Sequence, residues 1–206
     1  LTDKRLFWLS KENIAKGILD IEADKAGRRP KTTIDKQLAK DLVKWRDILK
    51  KGLEAYNSKI DKKKIAKCVQ TILNRLIFMR TLEDRGIEEQ NLRALVREWQ
   101  DKKGIKSNEL LSAINKLFKK FSGYYNSGLF DDPSAADFLR NKLEADDNDF
   151  VEVINELYKT KTGFRYNFAD IPSDIFGSIY EQYLGHIQQE HEIDKKKSKR
   201  KSQGIY

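Results

Sequence analysis

Leu38, Leu42, Trp45, Leu49 and Leu53 recur at steps of four, three, four and four, which marks one face of a long helix. Ile34 and Ile48 widen that stripe, and Thr33 is a candidate cap, although Lys36 cannot complete a capping box. A second stripe runs through Ile65, Val69, Ile72, Leu73, Leu76 and Met79, with Asp61 placed to cap its start and Gly86 to end it. Leu92, Leu95, Val96 and Trp99 place a third helix in Glu88 to Trp99. Leu110, Leu111, Ile114, Leu117, Phe118 and Phe121 predict a fourth. Shorter helical patterns cover Ile14, Ile18, Leu19 and Ile21 near the start, then 135–143 and 150–158, and finally Ile175 to Leu184 after Pro172. Ala26 to Pro30 reads as a loop, and Tyr124 to Phe130 as an aromatic loop lying against the core. Phe164, Tyr166 and Phe168 alternate at strand period, which admits a short strand in 163–168, and Leu6 to Leu9 admits another. No fixed-period repeat is visible. The predicted class is all-α, an antiparallel bundle-like arrangement with local connections.

Composition agrees with helix. Of 206 residues, 39% are hydrophobic and 35% charged, with three prolines and eleven glycines, which favours helices with wide polar faces over a barrel or sandwich. No window nears eighteen apolar residues, so a membrane span is excluded from the prediction, and the start lacks the pattern of a secretory signal. Cys68, the single cysteine, sits at helical spacing and reads as a small buried hydrophobe; it is compatible with a cytoplasmic protein. The first residue is not methionine and the last are Gly204-Ile205-Tyr206, which reads as a piece of a longer chain.

The net charge of +9 is unevenly spread. Lys195, Lys196, Lys197, Lys199, Arg200 and Lys201 form a basic block that would suit DNA phosphates, its plain alternative being a solvated linker. The stretch 131–156 carries nine acids against Arg140 and Lys142, which argues against a uniformly DNA-coating surface. Residues 72–86 set Arg75, Arg80, Glu83, Asp84 and Arg85 within an otherwise apolar helix. These arginines have the fork geometry for phosphate, but acids three to five positions away make a structural ion-pair network the stronger reading. Trp45 likewise reads as core rather than as a stacking platform.

Chemistry is sparse. His186 and His191 lie five apart and do not share a helical face, so with Glu190 and Glu192 they make a poor zinc site. Asp61-Lys62-Lys63, Asp101-Lys102-Lys103 and Asp194-Lys195-Lys196 match only the tail of a nuclease motif, with no paired upstream acid on a strand to hold a divalent ion. There is no phosphate-cradling glycine loop, dinucleotide fingerprint or nucleophile motif. No catalytic residue and no metal ligand is assigned.

Four ordered landmarks over residues 38–206 nevertheless resemble one family. They are Leu42-Val43-Lys44-Trp45-Arg46 with Leu73 to Gly86, then Tyr125-Asn126-Ser127-Gly128-Leu129-Phe130, then Tyr166 to Gly185, and finally Lys199 to Tyr206. Together the chain resembles the helical region upstream of the methyltransferase core in type IIG restriction-modification enzymes, relatives of the adenine-specific DNA methyltransferases. The resemblance implies a parent that methylates adenine N6 in double-stranded DNA with S-adenosylmethionine, and that cleaves DNA with Mg2+ where its nuclease is intact. Such enzymes carry an Asn-Pro-Pro-aromatic motif, whereas Pro30, Pro133 and Pro172 here have no proline neighbour, so the adenine-binding motif is missing.

The resemblance then implies a non-catalytic connector without a cofactor of its own. Residues 1–32 would be an N-terminal segment at the edge of a nuclease domain, 33–194 the helical connector, and 195–206 a basic linker into the methyltransferase domain. Gly204, Ile205 and Tyr206 would lie at the edge of the S-adenosylmethionine site in the parent only. The rival from another class is a freestanding helical protein-interaction module unrelated to DNA.

Overall fold

The apolar stripes form helices in the computed structural model, which describes residues 11–16, 18, 21, 34–102, 109–125, 129–130, 143–171, 177, 181, 183 and 185. The chain divides into two compact units, Leu1–Leu38 and Ala39–Tyr206. Among the described residues there are six helices and no strand: α1 (Lys11–Ala15), α2 (Ile34–Tyr56), α3 (Lys62–Asp84), α4 (Asn91–Asp101), α5 (Glu109–Tyr125) and α6 (Asp147–Tyr158). The class is all-α.

In the first unit, Lys16, just past α1, makes an exposed pair with Glu12 at 2.7 Å, and Ile21 is exposed rather than part of an apolar face. The second unit holds the helical core. Leu42, Trp45, Leu49 and Leu53 of α2 are buried, as are Ile65, Val69, Ile72, Leu73, Leu76 and Met79 of α3, because residues three and four apart share a helix face. Ile34 does not widen the α2 stripe; it is half exposed. Helix α6 packs against α3, α4 and α5, which also pack through α4 on one another. Glu156 meets Trp45 while Asp149 meets Gly52, so numbering rises along α2 as it falls along α6, and the two run antiparallel.

The ends of α3 follow local chemistry. Asp61 accepts a hydrogen bond from the Lys63 amide at 2.9 Å, capping the N-terminus. At the other end Gly86 has φ +68, the Gly86 amide donates to Glu83 O and the Ile87 amide to Leu82 O. This is a Schellman closure, and its left-handed residue favours glycine. Helix α4 starts at Asn91 rather than Glu88, because Glu88 and Glu89 are used in the turn that follows Gly86. The predicted strand in 163–168 does not form. Its backbone is held instead by a local turn and by side chains: the Thr160 amide donates to Phe164 O at 2.8 Å, the Phe164 amide to Thr160 Oγ1 at 3.0 Å and the Phe168 amide to Asp84 at 2.9 Å. Phe130 packs on Phe78, Phe118 and Phe121, as the aromatic loop implied, but Tyr124 is exposed.

Candidate functional site

Two carboxylates organise the charged residues, and both act at helix N-termini that are not their own. Four amides at each helix start lack an intrahelical acceptor and carry partial positive charge. Helix α4 has no side-chain cap from Gln90. Its Leu92 amide instead donates to Glu83 Oε1 at 3.1 Å, and its Arg93 amide to the Tyr158 hydroxyl at 3.1 Å. Glu83 also receives Arg80 Nη1 at 3.0 Å and the Tyr158 hydroxyl at 2.6 Å. Arg80 adds Asp84 at 2.7 Å and lies over the Tyr158 ring, 4.0 Å from its centroid. Asp84 in turn anchors the Phe168 amide. Arg80 and Glu83 are almost fully buried, so each charge depends on the other's presence. Burial, then the Glu83 hydrogen bond, push the Tyr158 phenol well above its usual range.

Asp147 repeats the device at α5. It accepts from the Leu110 amide at 3.1 Å, the Leu111 amide at 3.3 Å and the Trp99 indole at 3.0 Å. As the first residue of α6 it also sits at that helix's own positive end, where Asp146 caps through the Asn148 amide.

The third cluster joins α2 to α6. Glu156 accepts from Lys44 at 2.7 Å and from the Trp45 indole at 2.8 Å. Burial works against its ionised form, yet the Lys44 and Trp45 hydrogen bonds outweigh it and hold the carboxyl below its usual range. Beside it, Tyr166 donates to Asp41 at 2.5 Å and stacks edge-on to Trp45 at 6.1 Å. Burial first, and then Asp41, raise the Tyr166 phenol. Trp45 therefore serves as a core residue with its indole nitrogen satisfied, and no face is offered for stacking.

The structure splits the five residues read together from 72–86. Arg80, Glu83 and Asp84 meet in the cluster at the start of α4. Arg75 does not join them: it lies farther up α3, donating to Leu129 O at 3.0 Å and Phe130 O at 2.8 Å, under the rings of Phe118 and Phe130. Arg75 is eight positions from Glu83 and so more than two turns away, which is the physical reason. Arg85 is exposed past the helix end, outside the cluster. Glu156, Asp147, Tyr158 and the Asp41–Tyr166 pair were not singled out from the sequence. One signal for Glu83 and Asp84 was present: acids in a helix's last turn oppose its dipole and so call for an outside partner. Asp147 and Glu156 belong to the acidic stretch 131–156, so two of those charges are internal clamps rather than surface repulsion.

Lys195, Lys196, Lys197, Lys199, Arg200, Lys201, Gly204, Ile205 and Tyr206 lie outside the described residues, as do His186 and His191. Of the nuclease-like triplets, Asp61 is a helix cap and Asp101 an exposed last residue of α4. Among the described residues no group of three metal-ligating side chains converges, and no helix is long and apolar enough to cross a membrane.

Over 152 residues, 74% of its length, the chain is 29% identical to the type II restriction enzyme and methyltransferase RM.Eco57I of Escherichia coli. The chain resembles a segment of a fused restriction-modification enzyme. It spans 14% of that relative's length. No family model matches the chain, and no solved structure matches it. Among the described residues, buried polar clusters join α2, α3, α4, α5 and α6 to one another or to the 160s connector.

Proposed function

We propose that the chain is a non-catalytic helical connector of a type IIG-like restriction-modification enzyme. The whole enzyme transfers a methyl group from S-adenosylmethionine to adenine N6 in double-stranded DNA, and cleaves DNA where its nuclease is intact. The similarity to RM.Eco57I over 74% of the chain is the observation that carries this reading. The clusters at Glu83, Asp147 and Glu156 support it: their acids are consumed in fastening helices, as a part needs that must hold two working domains in fixed relation. Residues 195–206 would lead toward the methyltransferase domain, with Gly204, Ile205 and Tyr206 at the edge of its S-adenosylmethionine site. The enzyme would act in the cytoplasm, where DNA is its substrate.

The test is a methyl-transfer and cleavage assay on the 206-residue chain and on the protein extended through its coding sequence. The chain alone should transfer no methyl group from S-adenosylmethionine to DNA, while the extended protein should. Cofactor-dependent transfer by the chain alone would overturn the connector reading. A stop codon directly after Tyr206 would favour the freestanding interaction module.

A further inference from the structure

Helix α5 has two unlike sides. Leu110, Leu111, Ile114, Phe118 and Phe121 are buried, while Lys116, Lys119, Lys120 and Tyr124 are exposed. Residues 116, 120 and 124 follow at i, i+4 and i+8, so they form one row, with Lys119 beside it. The only acid of this helix is Glu109, about 10 Å along the axis from Lys116 at 1.5 Å per residue.

Among the described residues, none of the three lysines takes part in an ion pair or accepts a charged partner. Lys120 instead lies 6.0 Å from the centre of the Tyr124 ring, and Tyr124 is 73% exposed. Gly123 borders the row with no heavy atom within 4 Å of the position a Cβ would take, so the surface is sterically open. The lysine group at the start of α3 differs: Lys62 approaches Glu54 at 4.0 Å, and Asp61 sits within it. Among the described residues, the α5 face is thus a row of exposed lysines with no acid of its own helix nearby and an exposed aromatic end.

We infer that this face of α5 is a contact surface for the phosphate backbone of duplex DNA. This rests on the proposed function, which makes duplex DNA the polyanion present. Lys116 and Lys120 stand about 6 Å apart along the helix axis, near enough for their flexible stems to reach neighbouring phosphates of one densely charged strand. Ammonium groups at that spacing neutralise phosphates without reading bases, and a tyrosine hydroxyl is a common further phosphate donor. Binding of this kind releases counterions, so it weakens with salt in proportion to the phosphates contacted.

The experiment measures affinity of the full 206-residue chain for a mixed-sequence DNA duplex across a salt series. Lys116→Gln, Lys119→Gln and Lys120→Gln are combined, and the control combines Lys62→Gln, Lys63→Gln and Lys64→Gln for the same change of net charge. The α5 triple should lower the slope of log affinity against log salt by about 2–3, since each lost phosphate contact removes about 0.9. The control should change it by less than about 1 on the same scale. Glutamine preserves helix propensity, and Lys120→Gln alone, expected to lower the slope by about 1, tests the surface should the triple fold poorly. An unchanged slope in the α5 variants, equal losses in both triples, or no binding by the unaltered chain at low salt would overturn the inference. None of these results touches the methyl-transfer test, so the two readings fail separately.

Discussion

Glu83 and Tyr158, 75 positions apart in sequence, meet at 2.6 Å and together cap the start of α4. One carboxylate and one phenol thereby join three helices. The acid lies at the C-terminal end of α3, where the helix dipole disfavours it, and is stabilised by the positive end of α4 and by Arg80.

Glu83→Gln should be among the most destabilising single changes in the chain. Removing one member of a buried ion pair costs about 3–5 kcal/mol, and the remaining Asp84 contact places this case toward the lower end. Arg85→Gln, outside the cluster, should stay within about 0.5 kcal/mol. Urea denaturation of both variants checks the contrast; similar midpoints would contradict the cluster's role.

Asp147→Ala should loosen α5 from its start. A lost cap costs about 1 kcal/mol, and here two amides and the Trp99 indole lose their acceptor. Amide hydrogen exchange should quicken at Leu110 and Leu111 well before it changes in the middle of α3. A uniform acceleration across all helices would argue against local capping.

Stability should fall at both extremes of pH for different reasons. The folded Glu156 carboxyl titrates below its unfolded value, so its contribution is complete above the unfolded pKa and is lost as pH falls through the folded one. Glu156→Gln should therefore cost on the order of 1–3 kcal/mol at neutral pH and much less in acid. Tyr158 and Tyr166 titrate above their unfolded values, so their contribution is complete below about pH 10 and lost as pH rises further. Tyr166→Phe should be less stable at pH 7 yet show a flatter alkaline limb. Denaturation midpoints at acid, neutral and alkaline pH read all three.

Gly52 and Asp149 should be energetically coupled. A Cβ on Gly52 would lie 1.9 Å from Asp149 Oδ2, so Gly52→Ala must displace that carboxylate. Burial and then Asp146 and Glu152 already raise the Asp149 pKa, so the ionised form is held at a cost. Gly52→Ala should gain little alone. In an Asp149→Ala background it should recover the roughly 0.5–1 kcal/mol by which alanine exceeds glycine within a helix. Additive effects in this double-mutant cycle would refute the close approach.

Cys68 should resist thiol reagents until the protein opens. It is buried, and burial pushes its thiol up to about 12 against the opposing pull of Arg75. Labelling rates should track global stability across urea concentrations. Rapid labelling of native protein would show α3 to be exposed there.

Much of the helical framework was legible in one dimension. The stripes of α2 and α3, the Asp61 cap and the Gly86 stop all depend on residues within a few positions of one another, and each appears in the structure. The strand expected near Phe164 failed because alternation marks a strand only where a neighbouring ladder exists. Here Thr160 and Asp84 supply the acceptors instead.

Periodicity and capping chemistry therefore place the main stripes of α2 and α3 and both ends of α3, which neighbours three or four residues away settle, but not the start of α4. Which acid stands before which helix is another matter. Glu83 reaching Leu92, Asp147 reaching Leu110, and Glu156 reaching Trp45 across 111 positions are products of packing. A charge buried between helices is tolerated only when folding brings its partner within hydrogen-bond distance, and no local pattern encodes that meeting.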